Sequence, residues 1–271
     1  MQNWSLQEGK KGKTIAFVPT MGALHEGHLS LLREGKSRAD RLVLSIYINP
    51  AQFGPKEDFR RYPRETENDL KKAKELKTDV VFLPTDEEIY PKGYQTYVTV
   101  EEVTKYLCGV SRPGHFRGVA TIVLKLLNIV MPHIALFGEK DYQQLVVVRR
   151  MVQDLNLPID IVGMPIVRET DGLAMSSRNR YLSPSERNAA LSISRALTKA
   201  EVLVASSERS LKKILSAVYE IIHAAQVVHI DYVSLCDPET LEELASLKLP
   251  ALLAIAAFVG PTRLIDNRIL K

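Results

Sequence analysis

Short apolar runs alternate with amphipathic stretches over the first two-thirds of the chain, and this alternation limits the folds open to it. Thr14–Thr20 (TIAFVPT), Arg41–Asn49 (RLVLSIYIN), Asp79–Leu83 (DVVFL), Ile134–Phe137 and Ile159–Val162 read as strands. The first reads as buried, and the second is apolar nearly throughout, as parallel strands covered on both faces tend to be. Between the strands, about His28–Ala39, Glu65–Leu76, Phe116–Val130 and Tyr142–Leu155 read as helices, the third stopped by Pro132. Such alternation implies an α/β fold with a doubly wound, Rossmann-like parallel sheet, which binds ligands at the carboxyl ends of its strands. After about Thr170 the pattern changes. Ser183-Pro184-Ser185-Glu186 has the form of a capping box. Helices follow at about Ser185–Ala205 and Leu211–Gln226, then a strand (Val228–Leu235), a short helix (Pro238–Ser246) and a strand (Ala251–Val259). The expected organisation is a Rossmann-like domain of residues 1–172 and a smaller α+β domain of residues 173–271.

Composition excludes several function classes. The 271 residues suffice for one large or two small domains. The net charge is only +4, no Lys/Arg run reaches five residues, and aromatics are not interleaved with basic patches, so nucleic acid is not an expected partner. Cys108 and Cys236 stand far apart with no Cys-x-x-Cys pair, as fits two buried thiols in a reducing compartment. The first dozen residues are polar and lysine-rich, unlike a signal peptide. No apolar run approaches the roughly 18 residues of a membrane span. These features imply a cytoplasmic location and no membrane partner.

Chemistry concentrates where strands end. Pro19-Thr20-Met21-Gly22-Ala23-Leu24-His25-Glu26-Gly27-His28 leaves the first strand and opens a helix. A strand end, a glycine turn and a helix N-terminus present backbone N–H groups to an anion. Gly22 and Gly27 admit close approach, and His25 and His28, in the pattern His-x-Gly-His, can donate to phosphate oxygens. A site for a nucleoside triphosphate follows from these residues; helix capping is the plainer use of the same histidines. A zinc site is the weaker alternative, because no other His or Cys lies nearby in sequence. Gly138-Glu139-Lys140-Asp141 follows the fourth strand and offers a mobile cation with an acceptor for ribose hydroxyls. Met175-Ser176-Ser177-Arg178-Asn179 combines hydroxyls with a guanidinium, an anion-binding set or else a polar loop. The amides of Asn49–Gly54 and of Gln143-Gln144 suit a small polar substrate. Arg112, His115 and Arg117 lie in a Pro/Gly-marked loop before a helix and either serve that loop or add positive charge to the pocket. The charged stretch Lys56–Lys77 reads as a solvated helix face.

Taken in order, Val18–His28, Asn49–Gly54, Arg112–Gly118, Gly138–Gln144 and Leu173–Asn179 resemble the motifs of the pantothenate synthetases, the pantoate–β-alanine ligases. The resemblance runs from about Lys13 to Asn267. The His-x-Gly-His element alone marks only the wider nucleotidyltransferase superfamily. The resemblance implies an ATP-dependent ligation through a pantoyl adenylate, with ATP as substrate, Mg²⁺ on its triphosphate, and release of pyrophosphate and AMP. It implies ATP binding by Met21, Gly22, Ala23, Leu24, His25, Glu26, Gly27, His28, Gly138, Glu139, Lys140, Asp141, Val167, Met175, Ser176, Ser177 and Arg178. His28, His25, Lys140, Ser176, Ser177 and Arg178 would be the catalytic set, with His28 as phosphate contact and proton donor. Gln52 and Gln144 would bind pantoate, and Gln52 also β-alanine. A homodimer, with the C-terminal domain as a lid, is the implied assembly. The chain departs from the family in having only Met1–Gly12 where a strand and helix usually precede the first motif, so a shortened N-terminal element is expected. The competing readings are a nucleotidylyltransferase acting on a phosphate monoester, and a non-catalytic nucleotide- or RNA-binding module.

Overall fold

The computed structural model describes residues 1–55 and 57–271. Their elements in order are α1 (Gln2–Lys10), β1 (Ile15–Thr20), α2 (Glu26–Arg38), β2 (Arg41–Ile46), α3 (Thr66–Glu75), β3 (Val80–Phe82), α4 (Asp86–Ile89), α5 (Cys108–Ser111) and α6 (His115–Val130). There follow β4 (Ile134–Gly138), α7 (Tyr142–Asp154), β5 (Asp160–Met164), α8 (Pro184–Ala205), α9 (Leu211–His223), β6 (Val228–Cys236), β7 (Ala251–Val259) and β8 (Thr262–Leu270). They form two compact units: Met1–Glu101 with Arg112–Glu139 and Gln144–Pro165, and Glu102–Ser111 with Lys140–Gln143 and Ile166–Lys271.

The first unit is built on a parallel sheet in the order β3-β2-β1-β4-β5, the doubly wound arrangement expected from the strand–helix alternation. β1 is central, with Phe17 opposite Val43 on one side and Ala135 on the other. Strand order reverses across β1 and β4, and a sheet of this kind opens a ligand crevice at the carboxyl ends of such a switch. The segments after Thr20, Ile46 and Gly138 leave from those ends. Helix α2 covers one face through Leu31 and Leu32, which pack with Ala16, Val18, Leu42, Leu44 and Leu136. Gly35 permits a close approach: a Cβ there would lie 2.8 Å from Leu42 Cδ1 and 3.2 Å from Leu136 Cδ1.

Helix α1 occupies the polar N-terminus that carries no apolar signal. Its buried residues are Ser5 and Glu8 rather than an apolar stripe. Glu8 is held by Lys11 at 2.6 Å and by Arg41 of β2 at 2.7 Å, so an ion pair does the anchoring that periodicity normally reveals.

The second unit carries the antiparallel sheet β6-β7-β8. Ile193, Leu197 and Val204 of α8 and Ile214, Val218 and Ile222 of α9 pack with Leu253, Ile255 and Ala257 of β7. The capping box at the head of α8 forms as expected: Ser183 Oγ accepts Glu186 N–H at 3.3 Å, and Glu186 Oε2 accepts Ser183 N–H at 2.8 Å. Two elements differ from expectation. Pro238–Ser246 is a set of turns rather than a helix. The Asp237 carboxylate accepts Glu239 N–H at 2.8 Å and Thr240 N–H at 2.9 Å, and Leu241 is buried at φ +64°. The carboxylate caps a single turn as it would cap a helix, but the chain reverses at Leu241 and pairs back on β6, Asp237 N–H donating to Glu242 O at 2.9 Å and Leu244 N–H to Leu235 O at 3.0 Å. The final strand β8 gave no apolar alternation because Asp266 and Asn267 occupy two of its buried positions.

The close approach at Gly35 yields a test. Val in place of this glycine gains only about 0.4 kcal/mol of helix propensity. Forcing added carbons against Leu42 and Leu136 costs about 1–3 kcal/mol. Gly35→Val is therefore expected to lower stability in urea denaturation, whereas an equal or higher midpoint would mean that α2 stands clear of the sheet.

Candidate functional site

The turn between β1 and α2 is set by one buried carboxylate. Asp69 lies on α3, only 1% exposed. Its Oδ2 accepts Ala23 N–H at 2.8 Å and its Oδ1 accepts Leu24 N–H at 2.7 Å. One turn along α3, Lys72 Nζ donates to the Leu24 carbonyl at 2.5 Å. The backbone thereby enters left-handed conformations at Gly22 (φ +80°) and Ala23 (φ +50°). Any Cβ at Gly22 would meet Ile46 Cγ2 at 2.9 Å and Asp69 Oδ2 at 3.0 Å, so sterics and φ both require glycine. Thr20 Oγ1 completes the turn, donating to Ser45 O at 2.8 Å and accepting Gly22 N–H at 3.2 Å.

Helix α2 begins at Glu26 with His25 as its N-cap, two residues earlier than expected. His28 Nδ1 accepts His25 N–H at 3.3 Å. In the neutral ring the hydrogen is therefore on Nε2, a donor suited to an anionic oxygen. The two rings stack with centroids 4.1 Å apart. The histidines thus cap the helix and also stand at its positive end, where an anion is favoured. The Glu26 carboxylate is ion-paired with Arg33.

The segment after β2 is held as firmly. Asn49, buried, accepts from Tyr90 OH at 2.8 Å and donates to Gly118 O at 3.1 Å and to Gln52 Oε1 at 3.2 Å. Burial raises the Tyr90 phenol well above its usual range, so it remains a donor. Gln52 Nε2 lies 3.1 Å from Met21 Sδ, which brings together two of the expected site residues. At Gly118 any Cβ would overlap the Ala51 carbonyl. Arg112 and His115, entertained as sources of positive charge, serve the loop instead. Arg112 is bidentate on Glu57 at 2.7 and 2.5 Å, and His115 Nδ1 donates to Gln52 O at 2.8 Å. Burial pushes the Glu57 carboxyl up, but hydrogen bonding and attraction from Arg112 outweigh it and hold the group below the usual carboxylate range. Arg117 lies over the Tyr97 ring at 3.6 Å.

In the second unit, Val167 and Met175 face each other across a hairpin, Met175 N–H donating to Val167 O at 3.0 Å. Gly172 makes the turn at φ +95°. Arg168 is bidentate on buried Asp266 at 2.7 and 3.0 Å. The next residue, Asn267, donates to Lys140 O at 2.9 Å. Lys140 and the Val167–Met175 hairpin are thus tied to adjacent residues of β8. Lys140 Nζ lies 3.7 Å from Asp141 Oδ2. Ser176 Oγ accepts Arg178 N–H at 3.3 Å and caps the 3₁₀ turn Ser177–Tyr181. Asn179, not among the expected binding residues, donates to Ala174 O at 3.0 Å and Glu169 Oε1 at 2.6 Å, which fixes the course of that turn.

Two further expectations are corrected. Gln143 does not offer its amide to a substrate: Nε2 donates to Val103 O and Tyr106 O at 3.0 and 2.8 Å, and Oε1 accepts Cys108 N–H at 3.0 Å. The stretch read as a solvated face, Lys56–Lys77, starts at a residue outside the described ones, and from Thr66 it holds the buried Asp69 and Ala73. Asp69 is the functional residue that sequence reasoning missed, since an aspartate within ENDLKK carries no mark of burial. Among the described residues no group of three or more His, Cys, Asp and Glu side chains is arranged to hold a metal ion. No helix there is long and apolar enough to cross a membrane.

Two outcomes follow from these contacts. Asp69→Ala leaves the amides of Ala23 and Leu24 without their acceptor and is expected to destabilise the first unit by about 2–5 kcal/mol. Asp69→Asn, which keeps one acceptor oxygen, is expected to fall between. Equal stability of Asp69→Ala and the parent in denaturant would remove the carboxylate from this role. The Glu57 carboxyl is depressed in the folded state, so its stabilisation is present above the ordinary carboxylate range and is lost as pH falls through the folded value. The melting-temperature gap between the parent and Glu57→Gln should therefore be widest near neutral pH and close in acid; a gap that widened in acid would contradict the ion pair.

The family model described as pantoate-beta-alanine ligase matches residues 1–269. A pantothenate synthetase of Syntrophobacter fumaroxidans is 59% identical over 262 residues, covering 97% of this chain and 93% of that protein. One from Syntrophus aciditrophicus is 55% identical over 269 residues, covering 99% and 94%. The crystal structure of pantothenate synthetase from Thermus thermophilus superposes with a TM-score of 0.92 at 45% identity, covering 94% of this chain and 93% of that one. A pantoate-beta-alanine ligase from Francisella tularensis, complexed with beta-gamma ATP and beta-alanine, gives 0.81 at 33% identity, covering 98% and 94%. With the family model matched over nearly its whole length and the His-x-Gly-His turn, the Gln52 segment and the Val167–Met175 hairpin all formed, the chain belongs to the pantoate–β-alanine ligase family.

Proposed function

We infer that the chain is an ATP-dependent ligase that joins pantoate to β-alanine, giving pantothenate, AMP and pyrophosphate. The observation that carries the reading is the β1–α2 turn, in which Asp69 locks the backbone and His28 is oriented by the N–H of His25 at the head of a helix. In the first step a pantoate carboxylate oxygen attacks the α-phosphorus of ATP. The bond from that phosphorus to the bridging oxygen breaks, and pyrophosphate leaves with the electron pair. In the second step the amine of β-alanine attacks the acyl carbon of the mixed anhydride. The acyl–oxygen bond breaks, AMP leaves, and the nitrogen gives up a proton.

Such a reaction asks a protein for positioning and for neutralisation of phosphate charge. In our reading Met21 to His28 contact ATP, with the Nε2–H of His28 on a phosphate oxygen and proton donation as its second role. His25, Lys140, Ser176, Ser177 and Arg178 act on the triphosphate, Asp141 on the ribose, and Gly138, Glu139, Val167 and Met175 line the nucleotide. The amides of Gln52 and Gln144 hold pantoate, with Gln52 also near β-alanine; what supports Gln52 is the fixed placement of its side chain against Asn49 and Met21. Mg²⁺ belongs to the substrate as MgATP, neutralising the triphosphate. A homodimer in the cytoplasm completes the proposal.

ATP–pyrophosphate exchange tests it. Exchange with pantoate alone, followed by AMP and pantothenate once β-alanine is added, is the expected result. Absence of exchange in folded, ATP-binding protein would move the reading to a nucleotidylyltransferase with another acceptor. His28→Ala and Lys140→Ala are each expected to lower kcat for adenylate formation by about 10²–10³-fold. A near-parental rate in either variant would remove that residue from the charge-stabilising set.

A further inference from the structure

We propose that Glu57, Arg112 and His115 form a positioning relay that holds Gln52 in place for the acceptor substrates. The proposal rests on the reading of Gln52 as a pantoate and β-alanine residue. All four residues lie in the first unit. Two donors converge on a single backbone carbonyl, that of Gln52: His115 Nδ1 at 2.8 Å and Arg112 Nη2 at 3.3 Å. Arg112 Nη1 lies 3.1 Å from His115 Nε2.

These contacts fix the protons. A carbonyl only accepts, so Nδ1 of His115 carries hydrogen; a guanidinium only donates, so Nε2 offers its lone pair. His115 is therefore the neutral Nδ1–H tautomer, and hydrogen bonding runs in one direction from Arg112 through His115 to Gln52 O. Glu57 fixes the guanidinium plane by the bidentate pair at 2.7 and 2.5 Å, and both side chains are mostly withdrawn from solvent, at 15% and 27% exposure. That fork geometry requires arginine; a lysine ammonium cannot meet Glu57, His115 and Gln52 in one plane. Beyond its carbonyl, Gln52 places Oε1 on Asn49 and Nε2 beside Met21 Sδ. The carbonyl belongs to the 3₁₀ turn Pro50–Gln52, closed by Phe53 N–H on Pro50 O at 3.2 Å, so holding it holds the turn that carries this amide.

Kinetics with each substrate varied in turn test the relay. Arg112→Lys and Glu57→Gln are expected to raise KM for pantoate or β-alanine about tenfold while KM for ATP holds. His115→Phe should do the same, and His115→Asn, which restores a donor near the Nδ1 position, should recover most of the loss. In a Gln52→Ala background, Arg112→Lys should add nothing further. Full additivity there, with Gln52→Ala itself raising KM, would overturn the relay and leave the Gln52 assignment standing. A Gln52→Ala variant with unchanged KM for both acceptors would overturn the assignment and the relay with it. Equal loss across all three substrates with a lowered melting temperature would also overturn the relay, since it marks a purely structural role.

Discussion

The contact on which the first unit's chemistry depends is the pair of hydrogen bonds from Ala23 and Leu24 to the Asp69 carboxylate. A turn through two left-handed residues exposes backbone N–H groups that neither strand nor helix can satisfy. Left unpaired in a buried place, each would cost about 1–3 kcal/mol. One carboxylate takes both, and Lys72 takes the carbonyl on the same turn. With the turn so fixed, His25 can cap α2, and its amide can in turn orient His28. Removal of Asp69 would therefore act on His28 across four residues of backbone without touching it.

The same solution recurs wherever a side chain expected to bind lies on irregular backbone. Asn49 organises the Gln52 segment and is itself held by Tyr90 and the Gly118 carbonyl. Asp266 and Arg168 hold the base of the Val167–Met175 hairpin, while Asn179 fixes the turn beyond it. In each case a buried polar group, satisfied on several sides, substitutes for the regular ladder that loops lack. The residues proposed to meet ligand are thereby separated from the residues that hold shape.

Legibility in the sequence followed the same division. The parallel sheet was readable because β1 and β2 are apolar runs with no competing period, and the head of α8 because Ser183 and Glu186 stand at capping-box spacing. The His-x-Gly-His turn, the Gly138–Asp141 segment and Met175–Arg178 announced themselves by residue type at a strand end or a turn. Asp69, Asp266 and Glu8 did not, since a charged residue inside a charged stretch looks the same whether it faces water or a backbone amide. Gln143 misled for the converse reason. Its amide chemistry suits a ligand, but three backbone groups of Val103, Tyr106 and Cys108 already use it. The non-helix at Pro238–Ser246 was hidden because Asp237 caps that turn just as it would cap a helix, and what ends it is the left-handed Leu241 and the return of the chain to β6.

Helix α3 carries a last consequence. By composition it is the segment an engineer would choose for surface redesign, a run of Glu, Asn, Asp and Lys with little hydrophobic content. Two of its positions nonetheless act as the mould for a loop on another element. A charge-reversal or solubility library that treated α3 as uniform exterior would lose function at Asp69 and Lys72 and tolerate change at exposed Lys71 and Lys74. That asymmetry makes the helix a handle: substitutions confined to its outer face would recolour the protein's exterior while the mould beneath stays intact.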